Sequence, residues 1–363
     1  MTTAVRVALG ERSYDIEISR GNLPLLAAFI REHRRVTHAV VITDDNVGPR
    51  HSHAALASLA ADNIRADLLT VPAGEGSKSV AQANLLWNEL TRLKTDRKSV
   101  IIALGGGVVG DLAGFIAATY ARGLAFVQIP TTLLAQVDSS VGGKVGINLP
   151  AAKNIVGAFW QPAGVLIDLD VLGTLPDREF RSGLAEAVKY GVILDADFFA
   201  WLEQNADAII ARDPQALEHI VAQSCRLKAR VVEQDEREDT GLRAVLNYGH
   251  TFCHAIETVT GYGQFLHGEA VAIGMVCASR LAESIGRIDA EVTIRQRNLL
   301  QRLGLPTEIR GLDPEALLAA MQYDKKTEHG NLRFVLPARL GFVELVGGVD
   351  RQSVFNALHA KTA

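Results

Sequence analysis

SVIIALGGGVVGD, residues 99–111, runs from an apolar strand through a glycine turn into a helix. Ser99–Leu104 has the near-continuous apolar character of a strand buried on both faces. Gly105, Gly107 and Gly110 form a literal G-x-G-x-x-G in the strand-to-helix context that gives the pattern meaning. Glycines let the backbone approach a pyrophosphate, and the free amides at a helix start favour its charge. The acid expected about twenty residues on to hold a ribose is missing, because Ala125–Gln128 stand there. Asp44, closing an earlier strand, is the better candidate. Neither this turn nor Gly142-Gly143-Lys144 has the spacing of a Walker A loop.

Working outward, the same alternation recurs. Val5–Leu9 and Tyr14–Ile18 alternate around Gly10-Glu11 and read as a hairpin. Leu23–Glu32, His53–Asp62 and Val80–Lys94 read as helices, and residues 38–44, Ala66–Val71 and Ala125–Ile129 as strands. Strands alternating with helices predict a largely parallel sheet covered on both faces. After Val165–Leu169 long helical patterns dominate: Arg181–Gly191, Phe198–Ala211, Pro214–Glu236, Gly249–Thr260, Glu269–Ile285, Glu291–Leu303 and Pro314–Tyr323. Two short strands around Leu332–Leu336 and Gly341–Val346 interrupt them. The chain therefore divides near residue 170 into an α/β nucleotide-binding domain (1–170) and a mainly α-helical domain (171–363), with a ligand cleft expected between them.

Composition narrows the function. The chain has 363 residues, 48% hydrophobic and 21% charged, with a net charge of −4. That balance argues against general affinity for nucleic acid. Cys225, Cys253 and Cys277 are too few and too scattered for a disulfide framework, and read as reduced thiols. The start of the chain lacks a signal-peptide core, and no apolar run approaches the roughly eighteen residues of a membrane span, so a cytoplasmic protein is expected.

Three further stretches carry candidate chemistry. PAGEGSKS (72–79) and PTTLLAQVDSSVGGK (130–144) follow strands, where α/β proteins place ligand loops, and Lys153-Asn154 continues the second polar run. LNYGHTFCHAIETVTGYGQFLHGEAVAIGM (246–275) places three of ten histidines, His250, His254 and His267, within one stretch. His250 and His254 share a helical face and can present two imidazole nitrogens to one ion or anion. Glu186, three residues before Lys189 on an apolar helix, needs a partner when buried: the lysine or a divalent metal. Two histidines and one carboxylate would leave zinc open positions for substrate. Spacing does not say which two histidines those are.

Together these motifs resemble the 3-dehydroquinate synthases of the wider sugar-phosphate cyclase family. The likeness runs through PAGEGSKS, LGGGVVGDLAGFIAATYARG, IPTTLLAQVDSSVGGKVGIN, KNIVGAFWQP, LPDREFRSGLAEAVKYG, DEREDTGLRAVLNYGHTFCHAIE, LHGEAVAIGM and DKK, nearly the whole chain. It implies a dehydroquinate synthase-like fold and a zinc or cobalt ion held by Glu186, His250 and His267, which leaves His254 to the substrate. It implies NAD held by Asp44, Glu75, Lys78, Gly105, Gly106, Gly107, Val108, Thr131 and Thr132, with Asp111, Asp138, Lys144 and Lys153 bordering cofactor and substrate. Arg122, Asn154, Lys189, Lys228, Arg243, His254 and Lys325 or Lys326 would surround a small anionic sugar phosphate. Family members are usually homodimers, so Arg122 would serve the neighbouring subunit.

The implied reaction is the second step of the shikimate pathway, towards chorismate and the aromatic amino acids. It converts 3-deoxy-D-arabino-heptulosonate 7-phosphate to 3-dehydroquinate and phosphate, making the enzyme a carbon–oxygen lyase. Transient oxidation at C5 by NAD acidifies the C6 proton, phosphate leaves by β-elimination, hydride returns, and an aldol step closes the ring. Cys253 stands where the family commonly has glycine, and Val145 where threonine is frequent. The rival readings are another cyclase of aminodehydroquinate or inosose type and an NAD-dependent polyol dehydrogenase.

Overall fold

A computed structural model describes residues 2–150, 152–261, 263–322 and 332–359. The strands are β1 (Thr3–Val7), β2 (Tyr14–Ser19), β3 (His38–Asp44), β4 (Arg65–Val71), β5 (Val100–Gly105), β6 (Ala125–Pro130), β7 (Lys144–Leu149), β8 (Ala152–Phe159), β9 (Gly164–Asp168), β10 (Phe334–Arg339) and β11 (Phe342–Val346). The α-helices are α1 (Leu26–His33), α2 (Gly48–Ala61), α3 (Val80–Arg92), α4 (Gly107–Thr119), α5 (Asp177–Leu194), α6 (Ala196–Ile210), α7 (Pro214–Gln234), α8 (His250–Val259), α9 (His267–Ser284), α10 (Ala290–Arg302), α11 (Pro314–Gln322) and α12 (Arg351–His359). Met1–Pro176 with Glu218–Arg237 form one compact unit, and Asp177–Leu217 with Glu238–Ala363 the other.

In the first unit a seven-stranded sheet has the order β1-β2-β9-β6-β5-β3-β4. The pairs from β2 to β4 are parallel, and β1 joins the edge antiparallel. Alternate residues of one strand feed two separate cores. Val40, Ile42, Ile101 and Ala103 pack with α3 and α4 on one face, whereas Ala39, Val41, Ile102 and Leu104 pack with α1 and α2 on the other. Burial on both faces is why these strands read as unbroken apolar runs. From β3 the chain goes to β4 on one side and then to β5 on the other. The carboxyl ends of β3 and β5 therefore flank a topological switch point, the favoured ligand position of such sheets.

Two elements differ from the sequence expectation. Residues 144–159, where the sequence reading assigned no strand and placed Lys144 and Lys153-Asn154 in a polar run, form the antiparallel hairpin β7–β8, and Lys153 and Asn154 lie on its second strand. Gly146 faces Gly157 across this hairpin, and a Cβ on Gly146 would come within 2.8 Å of the Val156 carbonyl oxygen. Those glycines dilute the apolar alternation that would have marked the strands. Helix α12, too short to show a clear period, was also not anticipated.

The second unit is helical, with the short antiparallel ribbon β10–β11. Helix α9 packs against α5, α8, α10 and α12, and Ala270–Ser279 is buried without interruption. A helix apolar all round belongs in an interior. Small residues set its closest crossings. A Cβ on Gly249 would lie 2.7 Å from the Met275 amide nitrogen of α9.

Candidate active site

The glycine turn leaves β5 beside β3, whose last residue is Asp44. A carboxylate can therefore reach a ribose at this turn without following it in sequence, since adjacency in the sheet matters rather than chain order. Asp44 Oδ1 accepts the amides of Asn46 and Val47 at 2.9 Å each, which fixes its orientation. Gly106, Gly107 and Val108 stay partly exposed where α4 begins. A Cβ on Gly106 would press on Thr132 at 3.0 Å, and one on Gly107 on Ser139 at 3.1 Å. The Thr131 amide bonds the Gly105 carbonyl at 3.0 Å, while its buried hydroxyl has no hydrogen-bond partner. A bare backbone turn, an orphaned hydroxyl and a helix start fit a pyrophosphate-bearing cofactor.

Beside the turn lies a connected set of polar groups. Lys78, only 4% exposed, donates to Asp111 at 2.7 Å and to Asn154, and its Nζ is 3.5 Å from Glu75. Burial works against the ammonium, but Asp111 and Glu75 outweigh it and raise the Lys78 pKa. Lys228 on α7 pairs with Asp138, bonding its carbonyl at 2.8 Å and its carboxylate at 2.9 Å. Lys144 and Lys153 lie on β7 and β8. Arg122 lies apart from these groups, at the far end of α4, about 20 Å along its axis from the glycine turn. It is exposed on a turn where Ala121 and Arg122 have φ of 50° and 67°. Two consecutive non-glycine residues in that region store strain, a property associated with function.

In the second unit α5, α8 and α9 build one cluster. Gly268 has no room for a side chain, because a Cβ would fall on the Ser182 carbonyl oxygen of α5. Its amide instead donates to Ser182 Oγ at 3.0 Å. Ser182 is one turn before Glu186, so this contact sets His267 opposite that carboxylate. Glu186, His250 and His267 each bring a donor atom within 4.8 Å of the others. Nε2 of both histidines lies 3.7 Å from Glu186 Oε1, and Oε2 pairs with Lys189. The lysine and the histidines are thus not alternatives: both meet Glu186.

Each histidine is held from behind. Nδ1 of His250 is 3.1 Å from the Tyr248 carbonyl, and Nδ1 of His267 is 3.2 Å from Glu257 Oε1. Outer partners of this kind select the tautomer that aims Nε2 at a metal. The donor set, one carboxylate and two imidazoles with an open remainder, fits a catalytic zinc or cobalt. Burial opposes a charged His267 ring, yet Cys253 and the carboxylates of Glu186 and Glu257 outweigh it and raise its pKa well above the usual imidazole value. A second possible donor set, Cys253, Glu257 and His267, shares that ring. Burial pushes the Cys253 thiol up, which disfavours the thiolate a metal needs.

His254 stacks edge-on against His250 at 5.7 Å and belongs to neither donor set. Arg243 is buried beside Glu238 at 3.8 Å, in a 3-10 segment (Leu242–Asn247) packed on α5. Lys325 and Lys326 lie outside the described residues. Sequence reasoning missed Glu257, and Asn148, whose side chain lies between Glu75 and the Asn154 amide. Glu257 stands seven residues after His250 on the same helical face, a signal that was present. Asn148 gave no such signal.

The chain also resembles known proteins along nearly its whole length. A family model for the N-terminal part of 3-dehydroquinate synthase matches residues 68–182, and one for the C-terminal part matches 183–327. The chain belongs to the 3-dehydroquinate synthase family. A relative of that name from Rhodopirellula baltica is 50% identical over 98% of this chain and 97% of its own. Another, from Geobacter metallireducens, is 52% identical over 96% and 97%. Among solved structures, a 2-deoxy-scyllo-inosose synthase complexed with carbaglucose-6-phosphate, NAD+ and Co2+ superposes with a TM-score of 0.90 at 26% identity, covering 98% of this chain and 99% of its own. A 2-epi-5-epi-valiolone synthase from Streptomyces hygroscopicus, with NAD+ and Zn2+ bound, gives 0.88 at 28% identity, covering 97% of each chain. A glycerol dehydrogenase from Schizosaccharomyces pombe shares the fold alone, with a TM-score of 0.66 at 17% identity over 93% of this chain and 86% of its own.

Proposed function

We propose that the chain is a 3-dehydroquinate synthase. It would turn 3-deoxy-D-arabino-heptulosonate 7-phosphate into 3-dehydroquinate and phosphate as a carbon–oxygen lyase dependent on NAD and a divalent metal. The observation that carries the reading is the meeting of Glu186, His250 and His267, in a chain about half identical, end to end, to relatives of that name. The cyclases of other specificity are only 26% and 28% identical, which favours the dehydroquinate reaction over theirs.

Bound NAD supplies a hydride acceptor that is restored within the cycle, and bound zinc or cobalt supplies Lewis acidity at the substrate hydroxyl. The protein's own groups bind and orient. Asp44 and Glu75 receive ribose hydroxyls, and the glycine turn with Thr131 and Thr132 receives the pyrophosphate. Lys144, Lys153, Asn154, Lys189, Lys228, Arg243 and His254 gather the carboxylate and phosphate of the substrate. Forked arginine donors and compact lysine charges suit such oxyanions. The attraction is local, which is how a chain of net charge −4 takes a strongly anionic sugar. Lys189 also pairs with Glu186, so the buried carboxylate is not left without a partner.

We read the enzyme as a cytoplasmic homodimer in which Arg122 serves the partner's substrate. No helix among the described residues is long and apolar enough to cross a membrane. The place of Arg122 beyond α4, at the opposite end of that helix from its own glycine turn, supports the assignment to a partner. Mixing Arg122→Ala with Glu186→Gln chains should restore activity that neither has alone; no restoration removes Arg122 from a shared site.

One assay with the heptulosonate phosphate tests the function. A synthase releases phosphate and dehydroquinate without net NADH. A polyol dehydrogenase accumulates NADH, and a protein that only binds does neither. Phosphate release without a carbocyclic product would refute the proposed reaction.

A further inference from the structure

Asn148, next to last in β7, holds two segments by the two ends of one side-chain amide. Its Nδ2 donates to Glu75 Oε1 at 2.7 Å, and its Oδ1 accepts the amide of Asn154 at 2.8 Å. Its own main-chain amide bonds the Lys78 carbonyl at 2.8 Å. Both side-chain partners have fixed polarity, since an ionised carboxylate only accepts and a backbone N–H only donates. The orientation of the amide is therefore set, and the position needs one donor and one acceptor on a short, flat group. Aspartate matches the shape but not the donor.

The two segments are those of the cofactor site. Glu75 sits in the turn that carries Lys78, and Asn154, at a φ of 51°, accepts from Lys78 Nζ. A non-glycine residue in the left-handed region needs support, and the Asn148 carbonyl supplies it at the Asn154 amide.

We propose that Asn148 is a positioning residue for NAD: its amide fixes the Glu75 carboxylate and the Asn154 backbone together, so that Glu75 meets the cofactor in one orientation. The inference rests on the reading of this region as the NAD site. It predicts that the polarity of the Asn148 side chain, and not merely its volume, governs dinucleotide affinity.

Asn148→Asp isolates that polarity. It keeps the acceptor for Asn154 and opposes Glu75 with a second carboxylate; the other charged groups here are Lys78 and, beyond it, Asp111. NAD binding to the full-length protein, measured by calorimetry, should weaken about 10- to 100-fold at about pH 8. Two facing carboxylates share a proton as pH falls, so the deficit should shrink towards about pH 5, where an O–H donor to Glu75 is regained. In a Glu75→Gln background the same substitution should cost almost nothing, because the glutamine amide donates to the new carboxylate.

Unchanged affinity of Asn148→Asp at about pH 8 overturns the inference. So does an equal loss at both pH values and in both backgrounds, which would mark a purely structural role. A wild-type protein that does not bind NAD overturns the cofactor reading itself, and the inference with it. A thermal midpoint measured for each variant separates lost folding from lost binding, and the Glu75→Gln comparison keeps the inference refutable if Asn148→Asp alone is unstable.

Discussion

Removing Glu257 tests whether an outer partner holds His267 in place for a metal. Its carboxylate lies 3.2 Å from His267 Nδ1, on the side of the ring away from Glu186. Glu257→Ala frees the ring to rotate and removes the charge that raises its basicity. Outer partners of metal-bound histidines are worth about 10- to 100-fold in metal affinity, or about 1.4–2.8 kcal/mol. Glu257→Gln should fall near the lower limit, because an amide oxygen still accepts from Nδ1. No matching loss can be engineered at His250, whose outer partner is the Tyr248 carbonyl. The assay is competition between the metal-free protein and a chromophoric chelator for Zn2+ or Co2+, with far-ultraviolet circular dichroism confirming the fold. A folded Glu257→Ala protein whose metal affinity stays within about twofold of wild type would refute the outer-partner reasoning.

Cys253→Ala should leave Zn2+ affinity within about twofold, because the buried thiol lies outside the proposed ligand set; loss of the ion in chelator competition would transfer it to the Cys253, Glu257 and His267 donors. Gly268→Ala should separate α9 from α5 at Ser182, costing about 3 kcal/mol or more and the bound metal with it; calorimetric unfolding with metal analysis checks both, and normal values would deny that this crossing sets the site. Lys78→Met should destabilise the first unit by about 3 kcal/mol, the low end for a buried pair since Asp111 keeps some solvent contact. Chemical unfolding should show Asp111→Asn to be milder, and the reverse order would contradict the pairing.

Much of the first unit was legible because its strands are buried on both faces. Val40–Ile42 and Ile101–Leu104 need no alternation to be recognised as strands when each neighbouring residue faces a different apolar layer. The hairpin of β7 and β8 was not legible for the opposite reason. Gly146 and Gly157 meet where apolar side chains would otherwise have marked a pair. The Val145 departure also has an explanation invisible in sequence: Val145 is buried against Gly114 and Phe126, where a Cβ on Gly114 would collide with it. A valine there answers to the core of the sheet rather than to a ligand.

The histidines show why spacing could nominate a metal site but not assign it. His250 and His254 share a helical face, so periodicity treats them alike. Their surroundings do not. Gly249, at a φ of 77°, reverses the chain so that the Tyr248 carbonyl returns to Nδ1 of His250, leaving Nε2 to face Glu186. Tyr248 is itself pinned, its hydroxyl oxygen lying 2.7 Å from Gln296 Oε1 and 3.0 Å from the Met275 carbonyl oxygen, so that its one proton serves one or the other. His267 reaches the same carboxylate from a different helix because Gly268 admits α9 to the backbone of α5. The placing of the candidate donors thus depends on two glycines and on a tyrosine whose hydroxyl is engaged with Gln296 and Met275. None of these carries a metal-binding signal of its own, and only their packing makes one histidine of the pair a ligand candidate and leaves the other outside the donor set.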